Sequence, residues 1–353
     1  MPVATDFADG SLTGIVTIGS GKTSFTKTLV ADGITEGLQT FVVNLRTGSA
    51  SGPIVATSNL ISVNDTSQSS SPPSLYSFTT FTFTNGGATG RTGPTSFASV
   101  SSYTSQSWYA SYFSVTSGIQ YWTAPQTGNY TIRAAGAAGQ GGVFSTFCRG
   151  IIIESTISLI AGQQYKILIG QMGVVNGTGS GGGGGGTFMT TTANSPIIVA
   201  GGGGGAYLNS STLYSGSDGR STTSGANSSD GSGTGGSNGN GGTGSNNGWG
   251  GGGGGLTGDG TDAINLANTR GFAFINGGTG GNTATTAVGG FGGGAGTHGN
   301  TGGGGGGGGY SGGGGSNQAT SASVAGGGGS YSQSSISVIG YNTGHGYLTV
   351  TKL

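Results

Sequence analysis

The chain has 353 residues, of which 86 are glycine, with 32% apolar and 6% charged positions and ten basic residues balancing ten acidic ones. A net charge of zero removes the electrostatic argument for nucleic acid or an anionic membrane as partner, and it lacks the charge excess that usually accompanies intrinsic disorder. One cysteine, Cys148, excludes an intrachain disulfide framework; no apolar run is long enough for a bilayer, so no membrane insertion is expected, and the opening MPVATDFADG has no export-signal pattern.

Residues 1–66 hold Lys22, Lys27, Arg46, Asp6, Asp9, Asp32, Glu36 and Asp65, a large share of all the charge. Period-2 alternation at 14–18, 24–30, 40–45 and 60–63, with turn signals at Gly19-Ser-Gly21, Asp32-Gly33 and Gly52-Pro53, predicts an antiparallel β-sandwich. The wording ATDF, DGITEGLQTFVVNL (32–45) and ISVNDT (61–66) resembles the later part of a Calx-beta module, whose opening strands are missing here. That resemblance implies an immunoglobulin-like partial sandwich with calcium between its strands, and Asp32, Glu36 and Asp65 stand at the matching acidic positions. A half-sandwich leaves an edge and a core open, so another chain is expected to supply the missing strands by strand addition.

A Ser/Pro linker, 67–74, separates this module from the glycine-rich part, 75–353. Aromatic residues crowd into 75–139, from Tyr76, Phe78, Phe81 and Phe83 through Tyr103, Trp108 and Trp122 to Tyr130. Phe81 and Phe83 share one strand face, and Tyr130, Ile132 and Ala134 share another, which supplies a core on which the glycine part can dock. Further strands are expected at 151–153, 157–160, 165–169, 196–200, 336–339 and 347–350.

Between them lie glycine runs at 181–186, 201–205, 250–255, 302–309 and 326–329. Such runs are either flexible coil or rods of the polyproline-II type, with three residues per turn and their backbone groups satisfied by neighbouring rods. The β-branched and aromatic residues at the run ends, as in SPIIVAGGGGGAYL, are anchors a linker does not need. As a rod, Gly302–Gly309 would span roughly 25 Å.

A second resemblance rests on FTNGGATGRTGPT (83–95), GIQYWTAP (118–125), GNYTIRAAGAAG (128–139), YKILIGQMG (165–173), IIVAGGGGG (197–205), GGFGGGA (289–295) and GHGYLTV (344–350). Together these look like the glycine-rich domain in the ectodomains of anaplastic lymphoma kinase and leukocyte tyrosine kinase. The resemblance implies a tumour-necrosis-factor-like β-sandwich with a hexagonal bundle of polyglycine II helices. No kinase comes with it. A Calx-beta-like module before such a domain resembles a bacteriophage tail fibre or virion-surface protein.

No catalytic constellation emerges. Gly19-Ser-Gly-Lys-Thr23 imitates the end of a P-loop, but Val16 stands where the first glycine is required and no helical pattern follows. His298 and His345 are the only histidines, and no nucleophile-elbow motif surrounds any serine. The reading is therefore a non-enzymatic protein, extracellular or on a virion surface, with no cofactor unless calcium binds. Segments 207–247 and 256–287 are expected to be loops between rods, with Asn209, Tyr214, Asp218, Asn227, Asp230, Asp259, Asp262, Arg270 and Phe272 as candidate contacts to a host glycan or protein. The alternative is a structural subunit of a virion decoration or filament, oligomeric with other virion or fibre chains through the N-terminal module.

Overall fold

The computed structural model describes residues 4, 7–14, 26–30, 38–64, 74–141, 148–175, 179–207, 214–283, 287–298, 302–317 and 323–353. Asp32, Glu36, Asp65 and Asn209 lie outside these residues, as do Gly19–Thr23 and nearly all of the strand expected at 14–18. The chain is all-β and divides into two compact units, Met1–Pro73 and Ser74–Leu353.

In the first unit β1 (Leu38–Phe41) pairs antiparallel with β4 (Ile61–Asn64), and β2 (Asn44–Arg46) pairs antiparallel with β3 (Ile54–Thr57). Alternation puts Gln39 and Phe41 on the half-covered face of β1, and Phe41 meets Phe7 edge to face at 6.2 Å. From the strand expected at 24–30, the described residues contribute an isolated bridge between Leu29 and Phe7. Phe7 is the only buried apolar side chain among the described residues of this unit.

The second unit is a sandwich of two antiparallel sheets. The six-stranded sheet runs in the order β13 (Tyr331–Ser332), β12 (Pro196–Ala200), β11 (Thr187–Thr191), β10 (Gln164–Leu168), β7 (Ile119–Thr123) and β6 (Phe113–Thr116). The five-stranded sheet runs β14 (Ser337–Asn342), β9 (Gly150–Leu159), β8 (Gly128–Ala135), β15 (Tyr347–Lys352) and β5 (Thr80–Phe83). The two strands expected at 151–153 and 157–160 are one, β9, because Glu154–Thr156 continues the ladder with β8. Between the sheets lies an aromatic core in which Phe81, Phe83, Tyr103, Trp108, Trp122 and Tyr130 are buried together with Ile132, Ile153 and Val350. Within it the Tyr103 hydroxyl donates to Gln120 Oε1 at 2.9 Å, and Gln120 Nε2 donates to the Thr84 carbonyl at 2.8 Å.

Strands run directly into rods: β8 continues as 136–141, β10 as 170–175 and β12 as 201–206, while 181–186 leads into β11. In segment 181–186 the backbone amides turn to a new neighbour at each residue and return every third. Gly181 and Gly184 donate to Ala206 and Gly203, Gly182 and Gly185 to Val174 and Gln171, and Gly183 and Gly186 to Ala295 and Gly292. Its carbonyls accept from three other segments, through Ala137 and Gln140, Gly290, and Gly305 and Gly308. A three-residue repeat with neighbours on all sides is the polyglycine II lattice, and its hydrogen bonds leave the rod rather than closing within it. Segment 302–309 is surrounded in the same way by 181–184, 202–205, 251–254, 295, 313–316 and 326.

The lattice spacing excludes side chains. A Cβ on Gly183 would lie 2.1 Å from the Gly306 oxygen, one on Gly253 2.1 Å from the Gly307 oxygen, and one on Gly185 1.7 Å from the Phe291 oxygen. Those oxygens belong to fixed backbone and cannot yield. Gly183→Ala is therefore expected to destabilise the second unit by about 3 kcal/mol or more, whereas Gly344→Ala, whose Cβ would meet nothing nearer than 3.7 Å, is near neutral. Thermal unfolding of the two variants side by side checks this; equal stability would show that the rods are not close-packed.

Candidate functional site

Because strands feed the rods at one end, the rod-to-rod connections gather at the two ends of the bundle. The end away from the sandwich is stitched by cross-connections: Ser180 Oγ donates to the Gly302 carbonyl, Ile264 N to the Ser245 carbonyl at 3.1 Å, and Asn317 N to Asp230 Oδ2 at 2.7 Å. Trp249 packs edge-on against His298 with ring centroids 5.0 Å apart, so it serves as a packing anchor there. Exposed on the same end are Asn246, Asn247, Ile264, Asn265 and Asn268, the last two with left-handed φ of 61° and 68°. Asparagine tolerates that conformation better than most residues, which is why it marks these turns.

The two long excursions expected as loops are largely rods themselves. Segments 225–229, 233–237 and 239–245 join the lattice through bonds such as Gly225 N to the Gly236 carbonyl and Gly242 N to the Gly253 carbonyl, and 258–263 and 269–273 follow through Gly260 N to the Gly271 carbonyl. At the surface of the bundle every third position of such a rod faces outward, so Thr234, Ser237, Asn240 and Thr243 are exposed and need not be glycine.

The described candidate residues are thereby placed. Asp230 stands at the far end, where its Oδ1 accepts from Ser228 Oγ at 2.6 Å and from Ser232 Oγ and N at 2.7 and 3.1 Å. Burial raises its pKa, but these bonds and the Asn317 amide prevail and hold the carboxyl below the ordinary carboxylate value. The Tyr214 hydroxyl donates to the Asn227 carbonyl at 2.8 Å, and Asn227 Oδ1 accepts from Gly235 N at 3.0 Å.

Asp218 and Asp262 form the same device twice. Asp262 Oδ1 accepts from Arg270 N at 2.9 Å and Oδ2 from Arg270 Nη1 at 2.8 Å, while Asp218 Oδ1 accepts from Arg149 N at 2.8 Å and Oδ2 from Arg149 Nη2 at 2.6 Å. Each guanidinium also lies over a ring, Arg270 over Phe272 at 5.2 Å and Arg149 over Tyr341 at 4.2 Å. Asp259 is nearer the sandwich end and accepts from Ala273 N at 2.7 Å and Asn276 Nδ2 at 2.8 Å. These acids fasten one backbone segment to the next, a role that the sequence shows only as Asp and Arg spaced eight apart in 262 and 270. Asn246, Asn247, Ile264 and Asn265 were not singled out by the sequence reading; the Asn pair beside Gly248 was the available signal.

The remaining chemical groups are enclosed. Cys148 is buried, and burial with the nearby Asp218 charge pushes its thiol up to about 12. His345 is half-buried, its Nδ1 accepts from Met172 N at 3.1 Å, and burial lowers its pKa. Among the described residues no three His, Cys, Asp or Glu side chains gather as a metal site, and no helix is long and apolar enough to cross a membrane.

Fold and surface together define a β-sandwich protein that carries a polyglycine rod bundle. No family model matches the chain. It is 37% identical over 95 residues to the leukocyte tyrosine kinase receptor of Mus musculus, a match that covers 26% of this chain and 11% of the receptor. The chain thus spans a small part of that relative's length.

Asp230 gives a pH test of the far end. Its folded pKa lies below 3.8, so the stability it contributes is intact above that ordinary value and is lost as pH falls through the lower folded one. Asp230→Asn removes this dependence, and the wild type is expected to lose about 1 kcal/mol more than the variant on acidification, a modest figure because the group is partly solvated. Chemical denaturation across acidic pH checks this; parallel pH curves would show that the carboxylate is not held.

Proposed function

We propose that the chain is a non-enzymatic recognition protein, extracellular or on a virion surface, whose rod bundle presents its far end to a glycan or protein on another surface. The observation that carries this reading is the joining of Asp230, Ser245, Ile264, Gly302 and Asn317 into one platform through backbone-anchored bonds. Exposed asparagines and one isoleucine on a nearly uncharged platform suit polar ligands read by hydrogen bonds with a small apolar contact. The partial match to a receptor is compatible with an extracellular setting. The resemblance to phage fibres supports a virion setting, and the Calx-beta-like module would then serve attachment.

Replacing Asn246, Asn247 and Ile264 together by serine leaves the rods untouched, and it is expected to weaken saturable binding of the full-length chain to host cells or a glycan array by about tenfold. Binding that survives the triple change, or that never saturates on any surface tried, would take the recognition role away from this end.

A second role, assembly through the first unit, is favoured by its exposed apolar residues. Leu38, Leu60, Leu12, Val55 and Ile54 are 68, 66, 59, 57 and 48% exposed, and all four residues of β3 face solvent. Such a surface fits completion by strands of another chain. In the free full-length chain the amides of Ile54–Thr57 are expected to exchange orders of magnitude faster than those of β8 and β9. Equal protection of both would mean that this unit closes on itself.

A further inference from the structure

The sandwich of the second unit ends, among the described residues, in four edge strands: β14, β5, β6 and β13. Three of them are blunted. The exposed residues of β5 are Thr80 and Thr82, those of β6 are Ser114 and Thr116, and β13 is two half-buried residues long. β14 differs: it is six residues long, and Val338, Ile339 and Tyr341 are 51, 46 and 45% exposed. An uncovered apolar edge of this kind is what natural sheets avoid unless something pairs with it.

We propose that β14 pairs antiparallel with β14 of a second copy about a two-fold axis, joining two five-stranded sheets into one. Charge argues for a copy of the same chain as the occupant. Pairing about a two-fold axis brings a strand's side chains close to their own counterparts, so any charge would face itself. No Asp, Glu, Lys or Arg occurs from Tyr331 through Thr343. The nearest guanidinium, Arg149, is already neutralised by Asp218 and occupies one face of the Tyr341 ring.

Register argues the same way. Val338 and Tyr341 stand opposite Ile153 and Ile151, both buried in the core, so they carry the core-facing side of the sheet past its edge. A twin strand would cover that overhang with an identical one. The bulge between Val338 and Gly340 interrupts the ladder on this edge at one point only, and the apolar exposure lies on both sides of it.

The test is sedimentation of the full-length chain over a concentration series. A monomer–dimer equilibrium is expected, weakened about tenfold or more by Ile339→Lys, which sets two like charges beside the axis, and unchanged by Thr82→Lys on the opposite edge. Circular dichroism matching the wild type separates lost pairing from lost folding. Ile339→Cys offers an independent readout at the same position, because the native Cys148 is buried and only the new thiols, brought together at the axis, can cross-link copies on oxidation. A chain that stays monomeric throughout, or a dimer that ignores Ile339→Lys and does not cross-link through position 339, overturns the proposal. Neither result bears on ligand binding at the far end of the bundle, which the serine triple variant addresses separately.

Discussion

Everything in the second unit depends on one geometric fact: the backbone hydrogen bonds of the rods point outward, to other rods. An α-helix satisfies its amides internally and a strand satisfies them on two sides, but a polyglycine II rod directs them outward all round, to other rods inside the bundle and to water at its surface. Segment 181–186 achieves this with bonds to 171–174, 203–206, 292–295, 137–140, 290 and 305–308. No short piece of such a lattice can stand alone, since an isolated rod would leave its amides to water and forfeit the large backbone freedom of glycine for nothing. The sandwich solves the nucleation problem. Its aromatic core fixes β8, β10, β11 and β12 by ordinary hydrophobic burial, and the segments joined to them, 136–141, 170–175, 181–186 and 201–206, bond to one another beyond the sheets.

The same constraint explains where glycine is required and where it is not. Central rods are pure glycine, as in 250–255 and 303–309, because a backbone carbonyl lies about 2 Å from where each Cβ would stand, while at Gly302 the Trp249 ring fills that place. Outer rods such as 258–263 bond to 239–242, to 252 and 255, and to 271, and leave Thr261 exposed and Asp259 and Asp262 half-buried at the margin. Arg–Asp staples occur on these outer rods and at the sandwich margin, where a carboxylate can hold both a backbone amide and a guanidinium without entering the lattice.

This gradient also decides how much the sequence disclosed. Unbroken runs such as Gly302–Gly309 with apolar anchors are open to both coil and rods, and the resemblance to a glycine-rich ectodomain turns the reading to rods, whereas the alternation in Phe81-Thr-Phe83 and Tyr130-Thr-Ile132 points to strands of a sandwich directly. Segments 225–245 and 258–273 read as loops because Ser, Asn and Asp interrupt the glycines, although a rod at the bundle surface tolerates those interruptions. Asp218, Asp262 and Arg270 were visible as polar residues worth attention, but nothing in a linear sequence shows that a side chain's partner is the adjoining rod. In the first unit the strands at 40–45 and 60–63 were legible, yet their pairing was not: a break at Val42 and Val43 splits one expected strand into β1 and β2, which join different sheets.

For recognition, the value of such a bundle lies in what it fixes before a ligand arrives. A connection such as 246–249 is held at both ends by rods whose neighbours are themselves held, so its end-to-end distance is set by the lattice rather than by its own residues. Ordering on binding then costs less than for a free loop of equal length. The lattice is made of backbone groups, so it does not depend on which side chains the connections carry. Substitutions at Asn246, Asn247, Ile264 or Asn265 touch no rod bond made by a side chain, whereas substitutions at Ser180, Asp230 or Ser316, whose side chains bond lattice backbone, do. A surface built this way can change what it contacts without changing the fold that holds it, and its variable positions should therefore be sought among exposed turn residues rather than among the more conspicuous paired charges.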